Sequence, residues 1–153
     1  IAGTVKQFYS DIIWGDIDYM FIDCPPGTGD VPLTIFQSIP IDGVVVVTTP
    51  QDLVSVIVGK AVHMADSMNI PVIGMIENMS YFICPDCNNK HYIFGKSQLE
   101  QVIRDLYIGH AIRLPINPSL AGLMDRGEIE HMEANADLQE FADLISTFDP
   151  DKY

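Results

Sequence analysis

The chain has 153 residues, 48% of them hydrophobic and 19% charged, and a formal net charge of −13. That length and apolar fraction suit one globular core and exclude a disordered chain. The acidic balance excludes nucleic acid and anionic membrane as direct partners, because both need basic surface. The skew peaks at residues 125–153, where nine acids stand against Arg126 and Lys152, a pattern that reads first as a solvated helix face. The longest aliphatic stretch of note, Val44 to Val47, is far too short to span a bilayer. Three cysteines with no charged-then-apolar leader point to a reducing cytoplasm rather than a disulfide framework. The start, Ile-Ala-Gly-Thr without Met, reads as that of a fragment or processed piece.

Val5, Phe8, Ile12 and Ile13 recur at helical spacing, which predicts a helix over residues 1–13. Tyr19, Met20, Phe21 and Ile22 form a short apolar run, as a strand buried on both faces would. Asp23 follows, then Cys24-Pro25-Pro26-Gly27-Thr28-Gly29-Asp30. The prolines fix φ and the glycines admit positive φ, so this is a tight loop with a carboxylate at a strand's carboxyl end, where open α/β sheets hold ligands. Asp30 and Pro32 read as the N-cap and first turn of a helix over residues 31–38. Gly43-Val44-Val45-Val46-Val47-Thr48 is the clearest strand, ended by Thr49-Pro50-Gln51. Leu53, Val54, Ile57, Val58, Ala61, Val62, Ala65 and Met68 keep the 3.6 period of a helix over residues 52–68, and Asn69 marks its stop.

A third strand is expected over residues 71–78, after which regularity breaks at residues 79–95. That excursion holds Cys84-Pro85-Asp86-Cys87 and His91. Ser97 with Glu100 reads as a capping box for a helix over residues 97–107. A short strand at residues 111–114, a helix capped by Asn117-Pro118 and a final amphipathic helix complete the chain. Strands and helices that alternate with short connections predict an α/β fold: a partial doubly wound parallel sheet with helices on both faces and a small cysteine-bearing excursion.

The Cys84/Cys87 pair can be a redox dithiol, two metal ligands or two ordinary thiols. No helix is expected after it to lower a thiol pKa, which disfavours redox chemistry. Zinc or a [4Fe–4S] cluster needs four ligands and the pair gives two. His91 is close in sequence but opens a strand and reads as a surface or packing residue, and Cys24 sits in the other loop. A second copy of the chain completes the set most simply, two cysteines from each across a symmetry axis.

Together, Asp23-Cys24-Pro25-Pro26-Gly27-Thr28-Gly29-Asp30, Thr48-Thr49-Pro50-Gln51, Glu77-Asn78-Met79-Ser80 and Cys84-Pro85-Asp86-Cys87 resemble the Mrp/ApbC family, cytosolic P-loop ATPases akin to MinD and ParA that carry iron–sulfur clusters. The resemblance covers about residues 12–127. It implies that Asp23 acts on Mg²⁺ as a Walker-B-type acid, that the Gly27 N–H meets the γ-phosphate, and that Asn78 recognises the adenine of ATP with the Pro115 loop nearby. It also implies that Cys84 and Cys87 hold a bridging [4Fe–4S] cluster at a homodimer interface for delivery to apoproteins. Zinc in the cluster's place, in a dimeric module without nucleotide chemistry, fits the same thiolates. A MinD/ParA-like positioning ATPase is disfavoured by the acidic last helix and the cysteine pair.

The sequence departs from the family at one point. No glycine-rich loop ending in Gly-Lys-Ser/Thr is present: Gly59-Lys60 is followed by Ala61, and Gly95-Lys96-Ser97 has His91 where the leading glycine belongs. The chain therefore reads as the C-terminal portion of one P-loop ATPase domain, with residues 79–95 as its cysteine insert. Alone it is expected neither to hydrolyse ATP appreciably nor to bind it tightly.

Overall fold

This computed structural model describes residues 2–51, 54–133 and 136–152. The valine run forms β1 (Val44–Thr48). The helix after it, α3 (Val54–Ser67), buries Val58, Val62 and Ala65 on one stripe. Asp52 and Leu53, part of the expected helix, lie outside the described residues, as does Ile1. Asn69 stops α3 in the left-handed region (φ 56°), and the Ile70 N–H donates back to the Ala65 carbonyl at 3.0 Å.

β2 (Val72–Ile83) is longer than expected, running five residues past Asn78. Its extension pairs antiparallel with β3 (Lys90–His91), so the excursion is a β-hairpin. α4 (Leu99–Asp105) then leads to β4 (Ala111–Pro115). β1 and β4 both run parallel to β2, giving the expected parallel α/β sheet with β2 in its centre. The β2/β4 register shifts between Glu77 and Tyr81, and Met79 there has φ 55°. This irregularity marks where the sheet proper ends and the hairpin begins.

Gly74 and Met75 are neighbours on a strand and so face opposite sides of the sheet. On the Met75 side, Val46, Val58, Val62, Met75, Leu99 and Ile108 form the core cluster, so α3 and α4 cover that face. On the Gly74 side lies Phe141, the buried residue of α6 (Ala136–Ser146). A methyl group on Gly74 would stand 2.7 Å from the Phe141 ring and 2.9 Å from the His110 carbonyl oxygen. Gly74→Ala is therefore expected to cost about 2 kcal/mol, seen as a lower urea midpoint with an unchanged slope. An unchanged midpoint would mean that α6 does not press on the strand.

α1 (Ala2–Ser10) packs beside α2 (Asp30–Ser38). Gly29, not Asp30, occupies the N-cap, and Asp30 is the first helical residue, where its charge suits the helix dipole. The strand expected over residues 19–22 does not form: among the described residues the segment pairs with no strand, and Phe21 is 76% exposed. An apolar run becomes a strand only beside a ladder partner, and β1 pairs with β2 alone among the described strands. At the other end, Asn117 caps α5 (Pro118–Asp125) as expected, its Oδ1 accepting from the Ser119 N–H at 3.0 Å. No described helix is long and apolar enough to cross a membrane.

Candidate functional site

The hairpin tip is shaped by its backbone. The Cys84 N–H donates to the Asn89 carbonyl at 3.0 Å, and the Asn88 N–H donates to the Cys84 carbonyl at 2.9 Å. Asn88 turns the chain with φ 58°, a conformation that asparagine tolerates better than most residues. The fold brings Cys84, Cys87 and His91 together: their ligand atoms all lie within 4.8 Å of one another, at the surface. His91 was expected to be a surface or packing residue; it is exposed, but its ring faces the thiols. Its neighbour Lys90 places its ammonium 4.1 Å from the centre of the Tyr81 ring.

The thiols differ in character. The backbone N–H groups of Cys87 and Asp86, then the Cys87 side chain, hold the Cys84 pKa below the ordinary 9.0. Burial, with the Asp23 charge beside it, pushes Cys24 above that value. In metal-free protein near neutral pH, iodoacetamide is expected to alkylate Cys84 at least about tenfold faster than Cys24. The gap should close as pH rises past 9.0 and both thiols ionise. Equal neutral-pH rates would remove the N–H stabilisation of Cys84.

The other expected residues are spread over loops and strand ends. Asp23 is exposed and Gly27 adopts φ 90°, both in the loop that enters α2. Asn78 sits at the β2 irregularity, where its Oδ1 accepts from the Met79 N–H at 2.9 Å. Pro115 ends β4 opposite Tyr81, so Asn78 and Pro115 lie on neighbouring strands. No described hydrogen bond or ion pair joins the Asp23 loop to them. A cavity of about 20 Å³, room for one water, opens at the ends of β1 and β2 between Thr48, Thr49, Gln51, Glu77 and Gln98.

Sequence reasoning missed the group beneath the hairpin. Glu77 is 2% exposed and accepts from the Ser80 hydroxyl and from the Ser97 hydroxyl, the latter at 2.9 Å. Arg113 Nε lies 3.6 Å from Glu77 and donates to Ser97 Oγ at 3.1 Å, while its other end pairs with Glu100. The expected capping box does not form, because Gln98, not Ser97, stands at the N-cap of α4. Ser97 Oγ accepts from the Leu99 N–H at 3.1 Å, but Glu100 reaches across to Arg113 instead of back. An arginine inside the apolar strand Ala111-Ile112-Arg113-Leu114 was the available signal.

A parallel α/β sheet with loops gathered at its strand ends and a two-cysteine hairpin on its central strand defines a nucleotide-binding-type α/β protein that carries a close pair of thiols beside a histidine. The chain belongs to the ParA family of NUBPL iron-transfer P-loop NTPases, whose pattern matches residues 1–148. The "Iron-sulfur cluster carrier protein" of Methanocaldococcus jannaschii is 46% identical over 128 residues, covering 83% of this chain and 44% of that protein. Its counterpart from Methanococcus maripaludis is 39% identical and covers 95% of this chain and 51% of that one. A "Probable cytosolic Fe-S cluster assembly factor" from Schizosaccharomyces japonicus is 40% identical over 85% of this chain and 23% of its own length. Among solved structures, a nucleotide-binding protein from Archaeoglobus fulgidus in complex with ADP, "with Co found by PIXE", superposes with a TM-score of 0.79 at 38% identity. It is matched over 97% of this chain and 58% of that one. The chain spans about half the length of the curated archaeal relatives it matches.

Proposed function

We propose that the chain is the cluster-holding portion of an ATP-dependent iron–sulfur carrier that delivers a [4Fe–4S] cluster to apoproteins. The observation that carries this reading is the convergence of Cys84 and Cys87 at an exposed hairpin tip, in a chain whose relatives are named cluster carriers. The cluster is cargo, taken up by two thiolates from each of two copies, since one chain offers half the four that a [4Fe–4S] cluster takes. An exposed site suits transfer, because an acceptor's thiolates can reach the irons and exchange with the carrier's. Cytosolic delivery fits the name of the fission-yeast relative.

The nucleotide end of the reading divides. The loop holding Asp23 suits Mg²⁺, the positive φ of Gly27 is one glycine adopts without strain, and Asn78 at the β2 irregularity with Pro115 at the end of neighbouring β4 suits an adenine. The phosphates are another matter. These 153 residues contain no glycine-rich loop ending in Gly-Lys-Ser/Thr, so the phosphate cradle and its lysine have to come from outside them, with Gly27 adding one N–H at the γ-phosphate. No step of ATP hydrolysis is assigned to this portion alone, and in the whole protein nucleotide would bias the dimer and hence cluster holding.

Anaerobic reconstitution followed by iron, sulfide and zinc analysis tests the carrier reading. About four iron and four sulfide per dimer are expected. Tight zinc with no cluster uptake would replace it with a zinc-bridged module.

A further inference from the structure

A bridging cluster accounts for the two cysteines at the hairpin tip but not for the third donor, His91, that stands with them. Cysteines on neighbouring irons of a cluster are held apart by the iron–iron edge and by two outward Fe–S bonds. Cysteines on one ion are held apart only by the edge of a tetrahedron. With Zn–S near 2.3 Å and Zn–N near 2.0 Å, that edge is about 3.8 Å between sulfurs and about 3.5 Å between sulfur and nitrogen. The Cys84, Cys87 and His91 ligand atoms all lie within 4.8 Å of one another, so they close on a single ion with shifts of about 1 Å.

The pairing explains the third donor. Phe82 faces His91 across the hairpin, and the Cys84 N–H bonds to Asn89 one step nearer the tip. Side chains alternate along each strand, so Cys84 and His91 share a face as a diagonal cross-strand pair. Resting on the reading of the hairpin as a metal site, we propose that His91 is the third ligand of a mononuclear site within one chain. Cys84 Sγ, Cys87 Sγ and a His91 ring nitrogen hold a tetrahedral divalent ion such as zinc, with the fourth position open to water or an incoming thiolate. Two thiolates and a neutral imidazole leave this centre without net charge, and thiolate with imidazole is a donor set that zinc favours. One chain then binds one ion without dimerising, whereas cysteine-only ligation takes two chains per ion.

Anaerobic cobalt(II) titration of the full metal-stripped chain tests this, read by thiolate-to-cobalt charge transfer and by the intensity of the tetrahedral d–d bands, with light scattering for mass. The wild type is expected to saturate at about one cobalt per chain as a monomer. His91→Ala is expected to bind at least about 100-fold more weakly, or at one cobalt per two chains with dimerisation. His91→Cys should restore one cobalt per chain with a stronger charge-transfer band. His91 is exposed, so these variants should fold as the wild type does, which circular dichroism checks. Unchanged affinity and stoichiometry in His91→Ala overturn the third ligand while leaving the cysteine site intact. Unchanged cobalt binding in Cys84→Ser overturns the hairpin as a metal site altogether.

Discussion

Replacing Cys84 with serine is expected to abolish cluster uptake, with iron and sulfide falling to background after reconstitution and no charge-transfer absorption remaining. On the proposed function each chain supplies two thiolates to a four-thiolate cargo, so one substitution would remove two of the four ligands from every dimer. Serine is a poor substitute, because its hydroxyl does not ionise near neutral pH and lacks the soft sulfur that iron–sulfur clusters select. Cys84 is also the thiol whose charge the hairpin backbone stabilises, through the N–H groups of Cys87 and Asp86. Cys87→Ser should lose the cluster equally. Cys24→Ser should keep it whole, since Cys24 lies in the loop before α2 and its thiol is held protonated by burial and by Asp23. Full cluster in Cys84→Ser, or loss in Cys24→Ser, would move the site away from the hairpin.

The sheet was legible where the residues alone decide the structure. The valines of β1, the stripe of α3 and the Asn117-Pro118 cap each carry a local signal that no neighbour overrides. Residues 19–22 carry a similar apolar signal and form no strand, because a strand depends on what lies beside it. The candidate site divides in the same way. Cys84 and Cys87 were visible as a spaced pair. His91 was visible only as a nearby histidine, since its face relative to Cys84 follows from the hairpin register, and the sequence marked β2 as ending at Asn78. Asp23, Gly27, Asn78 and Pro115 came from motif resemblance. Glu77 was hidden because a carboxylate next to a strand end reads as exposed, and nothing local reveals that Ser80, Ser97 and Arg113 converge on it.

That hidden carboxylate supports the remaining large effect: Arg113→Met is expected to cost about 3 kcal/mol of stability. Removing the cation strands a charge that is 2% exposed, held among the described contacts by the Ser80 and Ser97 hydroxyls. Breaking a buried ion pair costs about 3–5 kcal/mol, and the lower end applies because the Arg113 side chain is itself 34% exposed and partly screened. Adding Glu77→Met removes the stranded charge and should recover about half the loss. The remainder reflects the fully buried Ser80 hydroxyl left without its acceptor, worth about 1–3 kcal/mol. Chemical denaturation of both variants measures this, and a double variant that simply sums two losses would show that Glu77 does not depend on Arg113. The group also has a place in the site. Ser80 lies on the strand leading out to Cys84, and Ser97 lies on the return from His91, so one carboxylate ties both roots of the cysteine hairpin to β4. The double variant, steadier than Arg113→Met but without that tie, should still show faster amide exchange across residues 80–97 than the wild type. Recovery of stability together with wild-type exchange would reduce Glu77 to a packing residue. Recovery of stability alone would make it the anchor that holds the two thiolates and His91 in register.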